Sequence, residues 1–125
     1  VRSLIMFSSE VSSKVYSSCD MFLMPSKTEP CGLSQLISMR YATIPIVHRV
    51  GGLRDTVEPF DGKTGTGFTF ESFDAYDMLD AVYRATYCYY QERHIWNKIM
   101  KNAIQQDVSW KKSALQYINM YSEIV

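Results

Sequence analysis

Residues 29–36 read EPCGLSQL, and this stretch decides the fold prediction because it joins two elements of different type. The apolar run MFLM at residues 21–24 precedes it and is typical of a central parallel strand that is covered on both faces. From Leu33 to Tyr41 apolar residues recur at helical spacing, which predicts a helix over residues 32–42. The stretch therefore predicts a buried strand, a tight turn and a helix in succession.

The turn predicted at the start of this stretch has the chemistry of an anion site. A loop that ends a strand and begins a helix presents unpaired backbone N–H groups and the positive end of the helix dipole. Phosphates bind at such positions, and Gly32 has no side chain to keep an anion from the backbone. Glu29 lies at the mouth of the turn, where a carboxylate accepts hydrogen bonds from sugar hydroxyls. The alternative is that Glu29 only stabilises the helix N-terminus, an effect of about 0.3 to 1 kcal/mol.

The rest of the chain alternates between strand and helix patterns. Short apolar runs predict further strands at residues 4–7, 44–47 and 68–70. Helical spacing predicts helices at residues 10–18, from residue 73 or 74 onward, around residues 95–103 and after Ser109, with a single helical turn at residues 53–57. This alternation predicts an α/β fold with a parallel sheet, followed by a helical C-terminal segment.

Composition excludes several function classes. The 13 basic residues balance the 13 acidic residues, so the chain lacks the positive charge that binds nucleic acid or an anionic membrane. No apolar run approaches the roughly 20 residues that span a bilayer, and no signal sequence opens the chain, so a cytoplasmic protein is predicted. The cysteines, Cys19, Cys31 and Cys88, lack the spacing of a zinc or redox site and predict reduced thiols and no bound metal.

Several segments continue the pattern of the first stretch. They are DMFLMPS at residues 20–26, EPCGLSQL at 29–36, MRY at 39–41, IPIV at 44–47, GGLRDTV at 51–57 and GTGFTF at 65–70. In order and spacing they resemble bacterial glycogen synthase and plant starch synthase. The resemblance implies transfer of glucose from ADP-glucose to the non-reducing end of an α-1,4-glucan, with retention of configuration. It also implies the GT-B architecture, in which two Rossmann-like doubly wound domains face a cleft.

Within that architecture the resemblance places the chain in the C-terminal, nucleotide-binding domain. The chain begins at Val1 without an initiator Met, and a strand is already predicted at residues 4–7. We therefore expect residues 1–125 to form a single, partial domain of a longer polypeptide. Such a fragment would hold the donor site and would be inactive alone, because the glucan acceptor would bind the missing N-terminal domain.

The resemblance also assigns roles within EPCGLSQL. Glu29 would be the catalytic residue that contacts the donor glucose. Gly32, Leu33 and Ser34 would supply backbone N–H groups, and Ser34 a hydroxyl, to the distal phosphate of ADP. Gln35 would either reach polar ligand atoms or face solvent. Cys31 lies inside this nucleotide-sugar motif, where we expect a small packing residue and no nucleophile.

Three further positions outside this stretch complete the predicted nucleotide-sugar site. Phe7 occupies the place of an aromatic residue that stacks on adenine, although a Phe at a strand end is also typical of a core. Gly51 and Gly52 permit close approach of a ligand or form an ordinary turn, and Val50 stands before them where the family has Thr. His48 follows a strand and is interpreted as a structural residue.

No cofactor is predicted besides the donor substrate ADP-glucose. Two alternatives remain open at this point. A transferase that uses another nucleotide sugar, such as UDP-glucose, would share the fold, although Ile37 stands where the wider superfamily has a second acidic residue. A non-catalytic interaction module derived from such an enzyme is the other alternative, and the intact Glu29, Gly32 and Ser34 argue against it.

Overall fold

The structure is a computed structural model that describes residues 2–124. Within these residues lie three strands and six helices. The strands are β1 (Met21–Met24), β2 (Ile44–His48) and β3 (Phe68–Phe70). The helices are α1 (Ser9–Ser18), α2 (Ser34–Arg40), α3 (Gly51–Thr56), α4 (Ala75–Gln91), α5 (Arg93–Gln105) and α6 (Trp110–Ser122).

The three strands form one parallel sheet in the order β1-β2-β3. Met21 lies opposite Ile44, and Ile46 lies opposite Phe68. All five residues of β2 are buried, so both faces of the central strand are covered, as expected for a parallel sheet. The predicted α/β class with a parallel sheet is therefore confirmed, and so are the predicted strands at residues 44–47 and 68–70.

The strand predicted at residues 21–24 is parallel as expected, but among the described residues it is not the central strand. These residues do form β1, but within the described chain β1 is an edge strand, and the side chain of Leu23 is 42% exposed. The central place belongs to β2, which pairs with a neighbour on each side. An unbroken apolar run indicates burial, but it does not show which strand lies between the other two.

The strand predicted at residues 4–7 is also wrong. These residues are irregular, and Ile5 and Phe7 are fully exposed. Leu4 and Met6 instead line a shallow hollow against α1, together with Val11. An apolar run becomes a strand only when a neighbouring strand pairs with its backbone, and within residues 2–124 no ladder forms here.

The core lies between the sheet and the helices that pack on it. Helix α4 packs on β3 and β2, α2 packs on β1 and β2, and α5 packs on α4 and α2. Asp74 caps α4, since its carboxylate accepts hydrogen bonds from the N–H groups of Tyr76 and Asp77. The helix predicted after Ser109 is present as α6, but none of its residues is buried. No helix among residues 2–124 combines the length and the apolar character needed to cross a bilayer.

Helix α2 ends in a Schellman motif with an unusual residue at its key position. The N–H of Thr43 donates to the carbonyl of Ser38, and the N–H of Ala42 donates to the carbonyl of Met39. Ala42 has a φ of 63° in this motif, within the left-handed region that glycine normally occupies. A Cβ in that conformation contacts the following carbonyl oxygen, so Ala42 is a strained position.

We predict that Ala42→Gly raises the free energy of unfolding by about 1 kcal/mol, because the left-handed penalty of an L-residue disappears. Urea denaturation of the 125-residue chain measures this change. Ala114→Gly is the control, since Ala114 lies in the exposed helix α6 and glycine brings no gain at an ordinary helical position. A lower stability of the Ala42 variant than of the unchanged chain would contradict the prediction.

Candidate functional site

The turn after β1 and the turn after β2 lie at the same edge of the sheet. Both strands run parallel, and helix α2 follows the first turn while helix α3 follows the second. In open parallel sheets, ligands bind in the crevice outside the carboxyl ends of the strands. The predicted residues Glu29, Gly32, Gly51 and Gly52 are therefore brought to the edge where a ligand site is expected.

Direct hydrogen bonds join the two turns. The backbone N–H of Gly52 donates to the carbonyl oxygens of Glu29 and Pro30, at 3.0 and 3.1 Å. Gly51 has a φ of 45°, and a Cβ added there would overlap the carbonyl oxygen of Glu29. The paired glycines thus allow one backbone to approach another. This close approach fixes the position of Glu29 relative to α3.

The turn itself presents free backbone donors. Gly32 has a φ of 71°, in the left-handed region. Leu33 follows with a φ of −115° and a ψ of −27°, in the right-handed region. Successive N–H groups in such a left-handed and right-handed pair form a concave nest that binds anions. Among residues 2–124, the N–H groups of Gly32, Leu33 and Ser34 find no acceptor. The positive φ of Gly32 is also the reason why α2 begins at Ser34, two residues later than predicted.

Glu29 leaves its carboxylate available for a ligand. The residue is half-buried, and within the described chain its carboxylate takes part in no hydrogen bond and no ion pair. The residue at the N-cap of α2 is Leu33, which makes no side-chain capping bond. Glu29 is therefore not a hydrogen-bonding cap of α2, and the alternative that it only stabilises the helix N-terminus through its charge stays a prediction.

Gln35 lies in the interior, so the alternative that it faces solvent is wrong. Its side chain is completely buried, and its Nε2 lies 3.2 Å from the carbonyl oxygen of Cys31 and 3.0 Å from that of Gly32. The same Nε2 lies 3.0 Å from Oγ1 of Thr56 on α3. Gln35 thus holds the turn and α3 together. A direct contact of Gln35 with the nucleotide sugar stays a prediction.

Two other predicted site residues are placed differently from expectation. The Cys31 thiol is exposed, so the expected packing role is wrong. Phe7 is fully exposed in an irregular segment, so neither a strand end nor a core position describes it. Its predicted stacking on adenine stays a prediction. All three cysteines are free, and burial, followed by the charge of Glu92, raises the pKa of the Cys88 thiol.

His48 has the structural role that was predicted. Its Nδ1 lies 2.8 Å from the carbonyl oxygen of Ser26 after β1, and its Nε2 lies 3.2 Å from that of Glu71 after β3. The ring also stacks on Phe70, with centroids 5.3 Å apart. Because His48 ends β2, it ties the carboxyl ends of all three strands together next to the turns.

Sequence analysis missed Thr56 as a residue of this site. Its Oγ1 lies 2.6 Å from the carbonyl oxygen of Gly52 and is also the oxygen that Gln35 approaches. The residue lies in the quoted segment 51–57, but no spacing rule connects a threonine there to a glutamine 21 residues earlier. Val50 is the N-cap residue of α3 and makes no side-chain capping bond.

A separate cavity of about 420 Å³ lies away from these turns, between α4, α5 and the loop before β3. Phe60, Tyr83, Tyr87 and Ile95 are among the residues that line it, and none of the predicted site residues does. We place the candidate site at the turns because the free N–H groups and the free carboxylate lie there.

Among residues 2–124, no group of three or more His, Cys, Asp and Glu side chains is arranged to hold a metal ion.

Comparison with known proteins agrees with this geometry. The sequence model of the family described as glycosyl transferases group 1 matches residues 4–103. The chain belongs to this family. It is similar to the glycogen synthase of Anoxybacillus flavithermus, with 50% identity over 100% of the chain and 26% of that protein. It is also similar to the glycogen synthase of Clostridium acetobutylicum, with 48% identity over 97% of the chain and 26% of that protein.

Solved structures of the same type share the fold of this glycosyl transferase chain. The catalytic domain of starch synthase IV from Arabidopsis thaliana, bound to ADP and acarbose, matches 96% of the chain and 25% of that protein, at a TM-score of 0.86 and 36% identity. A sucrose-phosphate synthase from Thermosynechococcus elongatus matches 88% of the chain and 26% of that protein, at a TM-score of 0.65 and 29% identity. The chain thus spans about a quarter of the length of the relatives it matches.

Proposed function

We propose that this chain is part of a glycogen synthase and holds its donor site. The whole enzyme transfers glucose from ADP-glucose to the non-reducing end of an α-1,4-glucan, with retention. The proposal rests on one observation above all, namely that a single turn carries both the free carboxylate of Glu29 and the free N–H groups of Gly32 and Leu33. The glycogen synthase relatives and the starch synthase bound to ADP and acarbose support the same assignment.

The geometry suits the departure of a nucleoside diphosphate. When the bond between the glucose and the distal phosphate breaks, negative charge develops on the phosphate oxygens. Preorganised N–H groups of Gly32, Leu33 and Ser34 stabilise that charge without reorganising. Glu29 accepts hydrogen bonds from hydroxyls of the donor glucose and so orients the sugar while the acceptor hydroxyl attacks from the same face. The turn therefore supplies leaving-group stabilisation, and Glu29 supplies positioning.

The proposal extends to what lies outside this chain. The glucan acceptor binds in a part of the enzyme that these residues do not include, so the isolated chain is inactive. Phe7 stacks on the adenine in the whole enzyme, and Cys31 lies at the margin of the nucleotide-sugar site. The enzyme works in the cytoplasm without a cofactor other than its donor substrate.

A transferase that uses another nucleotide sugar, such as UDP-glucose, is the second candidate, because a sucrose-phosphate synthase, whose name states a different product, has the same fold. The decisive experiment incubates the whole protein with glycogen and with labelled ADP-glucose or UDP-glucose. We expect label to enter glycogen from ADP-glucose faster than from UDP-glucose, and glucosidase digestion to place it at non-reducing ends. A preference for UDP-glucose would establish the second candidate, and no transfer from either donor by a folded protein would overturn both.

We predict that Glu29→Gln in the whole enzyme lowers kcat/KM for ADP-glucose about tenfold, because charge-assisted hydrogen bonds are roughly twice as strong as neutral ones. Binding of ADP, which has no glucose, is expected to remain unchanged. The measurements are initial rates and calorimetric titration. Glu58→Gln is the matched control, because Glu58 is an exposed glutamate in the loop before β3. Equal activity of the Glu29 variant and the control would contradict a role for this carboxylate.

A further inference from the structure

We propose that Gln35 is a positioning residue that aims the N–H groups of the turn at the distal phosphate, and that Thr56 locks it in place. This inference rests on the proposed function, since it concerns the same donor site. It assigns to Gln35 an indirect role, through the backbone of the turn, rather than the direct ligand contact that the sequence suggested. The complete burial of the Gln35 side chain is the starting point.

The orientation of the Gln35 amide follows from its three neighbours. The carbonyl oxygens of Cys31 and Gly32 only accept hydrogen bonds, so the group that faces them must be the NH₂. Thr56 has one hydroxyl proton, and its 2.6 Å contact with the carbonyl of Gly52 uses that proton. The oxygen of Thr56 is then an acceptor towards Gln35. All three partners thus face the NH₂ group, whose two protons they share.

This orientation turns the peptide groups of the turn outward. Each of the two carbonyls that Gln35 holds shares a peptide plane with the next N–H, so the carbonyl of Cys31 pairs with the N–H of Gly32, and the carbonyl of Gly32 with that of Leu33. In a trans peptide the carbonyl and the N–H point in opposite directions, and no peptide bond among the described residues is cis. When Gln35 draws both carbonyls inward, both N–H groups face away from the core. A hydrogen bond on each carbonyl also polarises the peptide and strengthens its N–H as a donor.

The small size of residue 32 is needed for the same arrangement of the Gln35 amide. A Cβ at position 32 would overlap Oε1 of Gln35 and lie 2.8 Å from its Nε2. The Oε1 atom itself is buried and has no hydrogen-bond partner among the described residues. An unsatisfied buried oxygen is unfavourable, so the favourable contacts of this amide are those of its nitrogen. Glycine at position 32 therefore serves both the left-handed turn and the room for the Gln35 amide.

Thr56 connects the Gln35 amide to the second turn, which contains Gly51 and Gly52. Its hydroxyl bridges Gln35 and the carbonyl of Gly52, while the N–H of Gly52 donates to the carbonyls of Glu29 and Pro30. The residue that contacts the sugar and the N–H groups that contact the phosphate are thus held by one connected network. Removal of the Thr56 hydroxyl is expected to weaken phosphate binding more than nucleoside binding.

The test uses the whole protein and compares calorimetric affinities for ADP and for AMP, which lacks the distal phosphate. We expect Thr56→Val to weaken ADP binding about fivefold and Gln35→Glu to weaken it about tenfold or more, as the loss of one or more hydrogen bonds predicts. AMP affinity should stay at the value of the unchanged protein. Thr56→Ser keeps the hydroxyl and should restore ADP binding. Thr86→Val is the matched control, because Thr86 also bonds the carbonyl four residues earlier, but on α4.

The outcomes separate this inference from the proposed function. If the unchanged protein transfers glucose from ADP-glucose while Thr56→Val and Gln35→Glu bind ADP normally, the positioning role is overturned and the function stands. Equal losses for ADP and AMP, or no recovery in Thr56→Ser, would show a merely structural role and would also overturn it. An unchanged protein that neither transfers glucose nor binds ADP overturns the proposed function itself. If the buried charge of Gln35→Glu prevents folding in a thermal melt, the comparison of Val and Ser at position 56 still decides.

Discussion

Gly52→Ala is expected to lower the free energy of unfolding by about 3 kcal/mol, the upper end of the usual cost of overpacking. Gly52 is buried, and a Cβ added there would overlap the carbonyl oxygen of Cys31 and lie 2.5 Å from its Cα. Because both atoms belong to the backbone, no change of rotamer relieves the overlap. The turn that carries Glu29 must therefore move away from α3, and the hydrogen bonds from the N–H of Gly52 to Glu29 and Pro30 lengthen.

Urea denaturation of the 125-residue chain measures the loss of stability, and ADP titration of the whole protein measures the accompanying loss of binding. Gly62→Ala is the matched control. Gly62 has a φ of 96° and nothing within 4 Å of an added Cβ, so alanine there costs only the backbone strain, about 1 to 2 kcal/mol. If Gly52→Ala is no more destabilising than Gly62→Ala, the tight contact between the two turns is not a constraint on this fold.

Trp96→Ala is expected to cost about 3 to 5 kcal/mol of unfolding free energy, the usual range for removing a buried aromatic side chain. Trp96 on α5 is completely buried, and its ring stacks on Phe68 of β3 with centroids 6.2 Å apart. Tyr89 of α4 meets the same ring edge-on, at 5.1 Å. The indole of α5 therefore contacts both the sheet and helix α4. Its Nε1 has no hydrogen-bond partner among the described residues, so the loss is one of packing.

Denaturation of the same chain measures this effect, and Trp110→Ala provides the comparison. Trp110 is 84% exposed at the start of α6, where a substitution is expected to change stability by no more than about 0.5 kcal/mol. Since the chain has two tryptophans, each variant also isolates the fluorescence of the other ring. Similar losses in the two variants would mean that α5 does not complete the core in solution.

Local patterns were sufficient for the order and type of most elements. The apolar runs at residues 44–47 and 68–70 and the helical spacing after Asp74 correspond to β2, β3 and α4. The same holds for the turn, because Gly32 and the residues around it carry their conformational preference in the local chain. The apolar run at residues 4–7 predicted a strand that is not present. A strand needs a neighbouring strand to pair with, and a local sequence pattern does not show whether one is there.

In the candidate site too, some residues could be predicted from the sequence and some contacts could not. Glu29, Gly32, Gly51 and Gly52 could be named from the sequence because the motif places them in turns after strands. The inward orientation of Gln35 and the bridge through Thr56 could not, because those contacts join residues up to 21 positions apart. The exposure of Cys31 could not be predicted either, because the motif does not show which side of the turn faces the helices.

By itself, the sequence determined the α/β class, the order of the elements and the glycine turn that follows β1. These depend on side-chain periodicity and on backbone preferences that act over a few residues. Only the tertiary structure decided that β2 is the central one of the three strands described, and that Gln35 and Thr56 hold the two turns together. Those features arise from hydrogen bonds and close packing between distant segments, which exist only after the chain has folded.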